Sequence, residues 1–148
     1  MRKRGLGPED LIHKEFGALI RRYEALGKLD CAYWSYDASG EKRTAMTASL
    51  LKAKGLNGGK ADYLFIKTCD IKGIIIDFYF WIEFKKPKTG RIDFTKPTTP
   101  KIWSSAGKQS DTQKAFQEIF KNSSNSKYYI AYSVNEALKI LEKEGVIK

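Results

Sequence analysis

Residues 74–87, IIIDFYFWIEFKKP, set the strongest limit on what this chain can fold into. Read as a strand, their side chains alternate between two faces. Ile76, Phe78, Phe80, Ile82 and Phe84 then share a face that must be core. Asp77, Tyr79, Trp81, Glu83 and Lys85 share the other, which is mixed and turns ionic toward the strand end. Pro87 ends the strand. A fold that uses this segment needs a sheet with a packed core, and a reason for an acid and a base on its opposite face.

The stretch before it, ADYLFIKT, reads as a second strand and CDIKG as a turn, so the two strands form a hairpin. Antiparallel pairing brings the start of one strand beside the end of the next, which places Asp62 close to Glu83. Two carboxylates at one point repel unless a cation lies between them. Mg²⁺ suits such a pair, because it is hard, takes oxygen ligands and keeps several waters. A lysine beside it can hold a phosphate or orient the attacking water. Asp62, Glu83 and Lys85 therefore form a coherent set for metal-assisted phosphodiester hydrolysis. The bland readings are a solvated polar strand face and a Glu83–Lys85 surface ion pair, which contributes little. Asp77 shares the Glu83 face but lies about 20 Å along the strand, too far to join the same ion.

The remaining segments fill in an α/β pattern. GPEDLIHKEFGALIRRYEALGK reads as a helix opened by Pro8 and ended at Gly27, with Ile12, Phe16, Leu19, Ile20 and Tyr23 at helical spacing. Glu9 falls near the centre of that apolar face and Glu15 nearer its edge. A first-turn carboxylate is also explained by the helix dipole alone. CAYWSYDASGEKR reads as a strand and turn, RTAMTASLLKAKGL as a short helix, and NGGK as a loop. Lys88 to Lys108 is polar and proline-bearing, a loop long enough to be functional. SDTQKAFQEIF opens a helix with Ala115, Phe116, Ile119 and Phe120 on one face. YYIAYS is a strand, and SVNEALKILEKEG a closing helix with Ser133 and Glu136 in capping-box positions. The order α-β-α-β-β-α-β-α predicts one α/β domain over 1–148, a mixed sheet flanked by helices.

Charge and cysteine content narrow the function. The 148 residues hold 27 Lys plus Arg against 17 acids, a net charge of +10. Such a balance suggests a polyanionic partner, with nucleic acid first. The two cysteines, Cys31 and Cys69, and the one histidine, His13, are too few for a structural zinc site, which takes about four such ligands. The cysteines read as reduced, in a cytoplasmic protein. The longest apolar run is too short to span a bilayer and contains acids, and the basic opening leads into no apolar stretch, so no membrane role is expected.

Four stretches in order, GKADYLF, WIEFKKPKTGR, SDTQKAF and YYIAYSVNEALKIL, resemble the VRR-NUC branch of the PD-(D/E)XK nuclease superfamily. That pattern has a glycine shortly before an Asp at a strand start, a Glu-x-Lys strand, a helix with an inward Gln, then a strand and a helix. The resemblance runs from Glu9 to the end. It implies a restriction-endonuclease-like fold that cuts nucleic acid with Mg²⁺ or Mn²⁺, on structured DNA such as junctions and flaps, with a homodimer as one assembly. It implies Asp62 and Glu83 as metal ligands, Glu9 as the first-helix acid that supports them, Lys85 as the catalytic lysine and Gln113 as the helix glutamine lining the site. His13 stands where relatives often have Gln. Ala61 stands where the family commonly has Pro, and the link from the Lys strand to the Gln helix is longer than usual.

Each residue also has a structural reading. Ser110 and Gln113 fit a capping box, in which Gln113 serves only the helix end. His13 suits a helix surface or core. Trp81 either stacks on a base or packs under the first helix. Lys86, Lys88, Arg91 and Lys101 are phosphate contacts or a solvated basic segment, and Trp103 shares the loop with Lys101. The runner-up function is a nucleic-acid-binding module without catalysis. A third is a basic interaction protein with no nucleic-acid role.

Overall fold

The computed structural model describes residues 8–37, 45–54, 60–86, 89–91, 101–104 and 107–148. Its elements in chain order are α1 (Pro8–Ala25), β1 (Tyr33–Tyr36), α2 (Ala45–Ala53), β2 (Tyr63–Ile71), β3 (Ile74–Phe84), β4 (Thr89–Arg91), β5 (Lys101–Ser104), α3 (Asp111–Ile119), β6 (Ser126–Ala131) and α4 (Val134–Lys143). Four strands form a sheet in the order β1-β2-β3-β6. β1 and β3 flank β2 antiparallel, and β6 runs parallel to β3, so the sheet is mixed. With helices against it, the protein is mixed α/β, as its segment order implies. No helix among the described residues is long and apolar enough to cross a membrane.

The alternation in β3 decides which helix covers which face. Phe80, Ile82 and Phe84 are buried and meet Phe16 and Ile20 of α1, Tyr63 and Phe65 of β2, and Ala137 and Leu141 of α4. Phe16 sits edge-on to Tyr63 and Phe84, with ring centroids 4.8 and 5.0 Å away. Full burial of such side chains stabilises the fold by roughly 1.5–3 kcal/mol each. Gly27 ends α1 at φ +66, and the Lys28 N–H returns to the Tyr23 carbonyl at 2.9 Å. The opposite face of β3 takes α3. Trp81 packs there against Phe116 and Phe120, at 5.1 and 5.9 Å between centroids. The expectation that Trp81 packs under the first helix is therefore corrected: α1 uses the even-numbered face of the strand. In α3 only part of the expected apolar face is covered. Phe116 and Phe120 are half-buried, while Ala115 and Ile119 are exposed.

Two further expectations change. The turn between β2 and β3 is Lys72–Gly73 alone, because pairing continues through Ile71↔Ile74. The 88–108 segment holds an antiparallel pair, β4 with β5, where a loop was expected. Prolines and lysines there read as loop composition and hide the short strands beside them. At α4 the capping box is half formed. Ser133 accepts the Glu136 N–H at 3.1 Å, but the Glu136 carboxylate accepts from the Tyr132 N–H at 2.8 Å.

Candidate functional site

The hairpin register carries the site. Tyr63 pairs with Ile82, so Asp62, one residue before β2, lies alongside the end of β3 that bears Glu83. The Asp62 Oδ2 accepts the Phe84 N–H at 2.7 Å. Side-chain alternation in β3 turns Glu83 toward α3, where it is 2 % exposed. Its Oε1 accepts from Gln113 Nε2 at 2.5 Å and from Lys85 Nζ at 2.9 Å. Its Oε2 is buried and has no hydrogen-bond partner among the described residues.

Gln113 closes the arrangement. Its Oε1 accepts from Lys85 Nζ at 2.7 Å and from the Ser110 N–H at 2.9 Å, while the Ser110 hydroxyl accepts the Gln113 N–H at 3.2 Å. The capping box and the site contact are therefore one structure. The same side chain ends the helix and links the lysine to the acid, so neither of the two sequence readings excludes the other. The Glu83–Lys85 ion pair is likewise present, but largely buried rather than a surface bridge, with side chains 3 % and 15 % exposed.

The electrostatics follow from this burial. Desolvation pushes the Asp62 carboxyl up to about 6, and the Glu9 charge adds to it, against the Phe84 N–H and the Lys85 charge. Desolvation pushes Glu83 up to about 7, with the Asp62 charge second and Lys85 opposing. The Asp62 charge raises Glu83, whereas the charges that raise Asp62 are those of Glu9 and Asp37.

Glu9 is not turned inward as the helical periodicity predicts. Its side chain is 65 % exposed in the first turn of α1, and it reaches the site through His13. Glu15 is exposed too. The His13 Nε2 lies 3.9 Å from Glu9 Oε1 and 4.0 Å from Asp62 Oδ2. The His13 ring is largely buried among Tyr36, Tyr63 and Phe84. Of the two sequence readings, helix surface or core, the core one holds for His13, and its spacing of four from Glu9 accounts for the contact with that acid. Tyr128 was missed altogether. It pairs with Trp81 across β3 and β6, and burial together with the Glu83 charge raises its hydroxyl well above the usual range. Nothing in the sequence fixes that parallel register.

Among the described residues, no group of three or more His, Cys, Asp or Glu side chains is arranged to hold a metal. A hard cation that keeps several waters needs only one or two carboxylates. Asp62 and Glu83 supply two carboxylates at one end of the hairpin, the donor type such an ion takes, and Glu83 Oε2 is the buried oxygen without a hydrogen bond among the described residues. Of the expected phosphate contacts, Lys86 is exposed just beyond Lys85. Lys88 lies outside the described residues. Arg91 and Lys101 are placed as strand positions that pair with each other across β4 and β5. No protein-family model, curated protein or solved structure matches the chain.

Proposed function

We propose that this chain is a metal-dependent nuclease that hydrolyses DNA phosphodiester bonds, an endonuclease of structured DNA on a PD-(D/E)XK-type fold. The observation that carries the reading is Glu83. It is a buried carboxylate with one oxygen held by Lys85 and Gln113 and the other without a well-formed hydrogen bond among the described residues, although the Asp62 backbone N–H lies near the carboxyl group, and the Asp62 charge opposes its ionisation. Burying such a group without a further partner is costly, and proteins keep that cost where function needs it. Asp62 and Glu83 would hold Mg²⁺ or Mn²⁺, and Glu9 adds negative charge at the rim. When bound, the ion supplies positive charge for the phosphate oxygens. Lys85, fixed by Gln113, presents its ammonium to a phosphate or to the attacking water. The net charge of +10 and the exposed Lys86 favour a polyanion.

A binding module without catalysis is the second reading. It is favoured by one observation, the lack of a third metal-binding side chain among the described residues. The test is cleavage of labelled duplex, single-stranded, flap and four-way-junction DNA with Mg²⁺, Mn²⁺ or EDTA, for the wild type and Glu83→Ala side by side. Metal-dependent cutting that disappears in the variant supports the nuclease. Salt-sensitive binding by both proteins with no cutting of any substrate rejects it in favour of the binding module.

A further inference from the structure

A cleft of about 680 Å³ runs between α1 and the edge strand β1, lined among others by Lys14, Gly17, Arg21, Trp34, Tyr36 and Tyr63. It also reaches His13, whose Nε2 is 4.0 Å from Asp62 Oδ2, so the cleft adjoins Asp62. We propose that this cleft is a subsite for unpaired nucleotides, which leads a single-stranded segment toward Asp62. The placement of that segment rests on the nuclease reading; the cleft's chemistry does not.

The lining matches bases more than it matches duplex backbone. A duplex presents continuous negative charge and asks for an unbroken cationic surface. Here Lys14 and Arg21 share the walls with Asp10 and Glu24. Cations contact isolated phosphates, and carboxylates accept from the exocyclic amines of bases. Ring faces supply stacking. Tyr36 is 38 % exposed, tilted against His13 and Tyr63. Trp34 stacks on Phe65 at 6.2 Å and carries the Arg21 guanidinium 5.5 Å from its ring, so it fixes Arg21 in the cleft, and the stacking surface is that of Tyr36. The volume falls within the roughly 300–1,000 Å³ that takes a small organic molecule, enough for a nucleotide or two.

Gly17 is the independent observation. It lies inside the 18-residue helix α1, where glycine weakens a helix relative to alanine. Close packing does not explain it, since a Cβ built there meets nothing within 4 Å. Positive φ does not explain it either, for the glycines in that region include Gly27 and not Gly17. What the missing side chain leaves is open floor in the cleft.

Gly17→Leu tests this directly, because leucine favours helix and its Cβ enters open space at the cleft floor. Fluorescence anisotropy in EDTA compares a blunt duplex with a forked duplex that bears an unpaired thymidine arm. The wild type is expected to prefer the fork about tenfold, the effect of one stacked base. Gly17→Leu is expected to lose that preference with its melting temperature unchanged or raised. A preference that survives in Gly17→Leu, or its absence from the wild type, overturns the subsite. Should Gly17→Leu not fold, Arg21→Gln provides the same comparison, with a severalfold drop expected. The two readings fail separately. Fork preference without metal-dependent cutting rejects the nuclease and keeps the subsite, and cutting without fork preference does the reverse.

Discussion

The Lys85 ammonium lies 2.7 Å from Gln113 Oε1, the same oxygen that accepts the Ser110 N–H at the start of α3. One amide thus couples the position of a lysine on a strand end to the folding of a helix end. Gln113→Leu removes the partner of Ser110, of Lys85 and of Glu83 at once. The expected cost is about 1–3 kcal/mol, the sum of a lost cap contact and a buried charge pair left short of a donor. Urea denaturation reads it. Gln113→Glu keeps the acceptor for Ser110 and Lys85 but opposes Glu83 with a third carboxylate. It should spare the helix and raise the Glu83 pKa further, which a carboxyl NMR titration reports. A loss below about 0.5 kcal/mol for Gln113→Leu, the level of an ordinary surface change, would show that the network does not hold the site.

The β2–β3 turn contains a second, separable feature. Lys72 and Gly73 have φ +53 and +83, both left-handed, and the flanking pair is Ile71↔Ile74. A two-residue hairpin turn of this kind favours Asn-Gly, and lysine at the first position is strained. The Asp70 carboxylate accepts the Gly73 N–H at 2.8 Å and supports the turn. Lys72→Asn is expected to stabilise the protein by about 0.5–1 kcal/mol. A thermal melt checks it, and an unchanged or lowered melting temperature refutes it.

What could be read in the sequence follows from how local each determinant is. The alternation in IIIDFYFWIEF predicts the core face correctly, since the two-residue period of a strand leaves no freedom. The hairpin brings Asp62 to the end of β3 that bears Glu83 because a short turn fixes register. Gln113 is legible as a cap from four residues. By contrast, its contact with Glu83 depends on how α3 lies over the sheet, which no local pattern encodes. Trp81 shows the same limit: alternation separates the two faces of a strand but does not say which helix covers which. Glu9 shows the limit of periodicity, which gives a direction around the helix but not whether anything covers the helix end. Tyr128 required the parallel register of β3 and β6, set by a connection of some forty residues.

The raised carboxyls predict a pH dependence of stability. Asp62 rises from 3.8 to about 6 and Glu83 from 4.5 to about 7. In both, the folded state holds its proton at pH values where the unfolded chain has released it. The stability contributed by the pair is therefore fully present below about pH 4, is lost as pH rises through about 6 to 7, and is flat above that. This is the reverse of the usual salt-bridged acid. In the metal-free protein, Glu83→Gln should remove most of the slope between about pH 5 and 7 relative to the wild type. Urea midpoints across that range decide it, and parallel pH profiles for the two proteins would contradict the assignment.

Asp62→Asn separates stability from metal response. The Asn Oδ1 can still accept the Phe84 N–H that Asp62 Oδ2 accepts at 2.7 Å. What disappears is the negative charge that raises Glu83, so Glu83 ionises more readily and pairs with Lys85 at 2.9 Å. At pH 8 without metal, relief of that repulsion is expected to stabilise the variant by about 1–2 kcal/mol. The wild type should recover the difference when Mn²⁺ is added, by about 2.7 kcal/mol at a hundredfold excess over Kd. The variant should gain little from the ion. Thermal shifts with and without Mn²⁺ measure both arms. A variant less stable than the wild type without metal would mean that the two acids do not oppose each other. An equal Mn²⁺ response in both proteins would place the ion away from Asp62, and the proposed site would have to be abandoned.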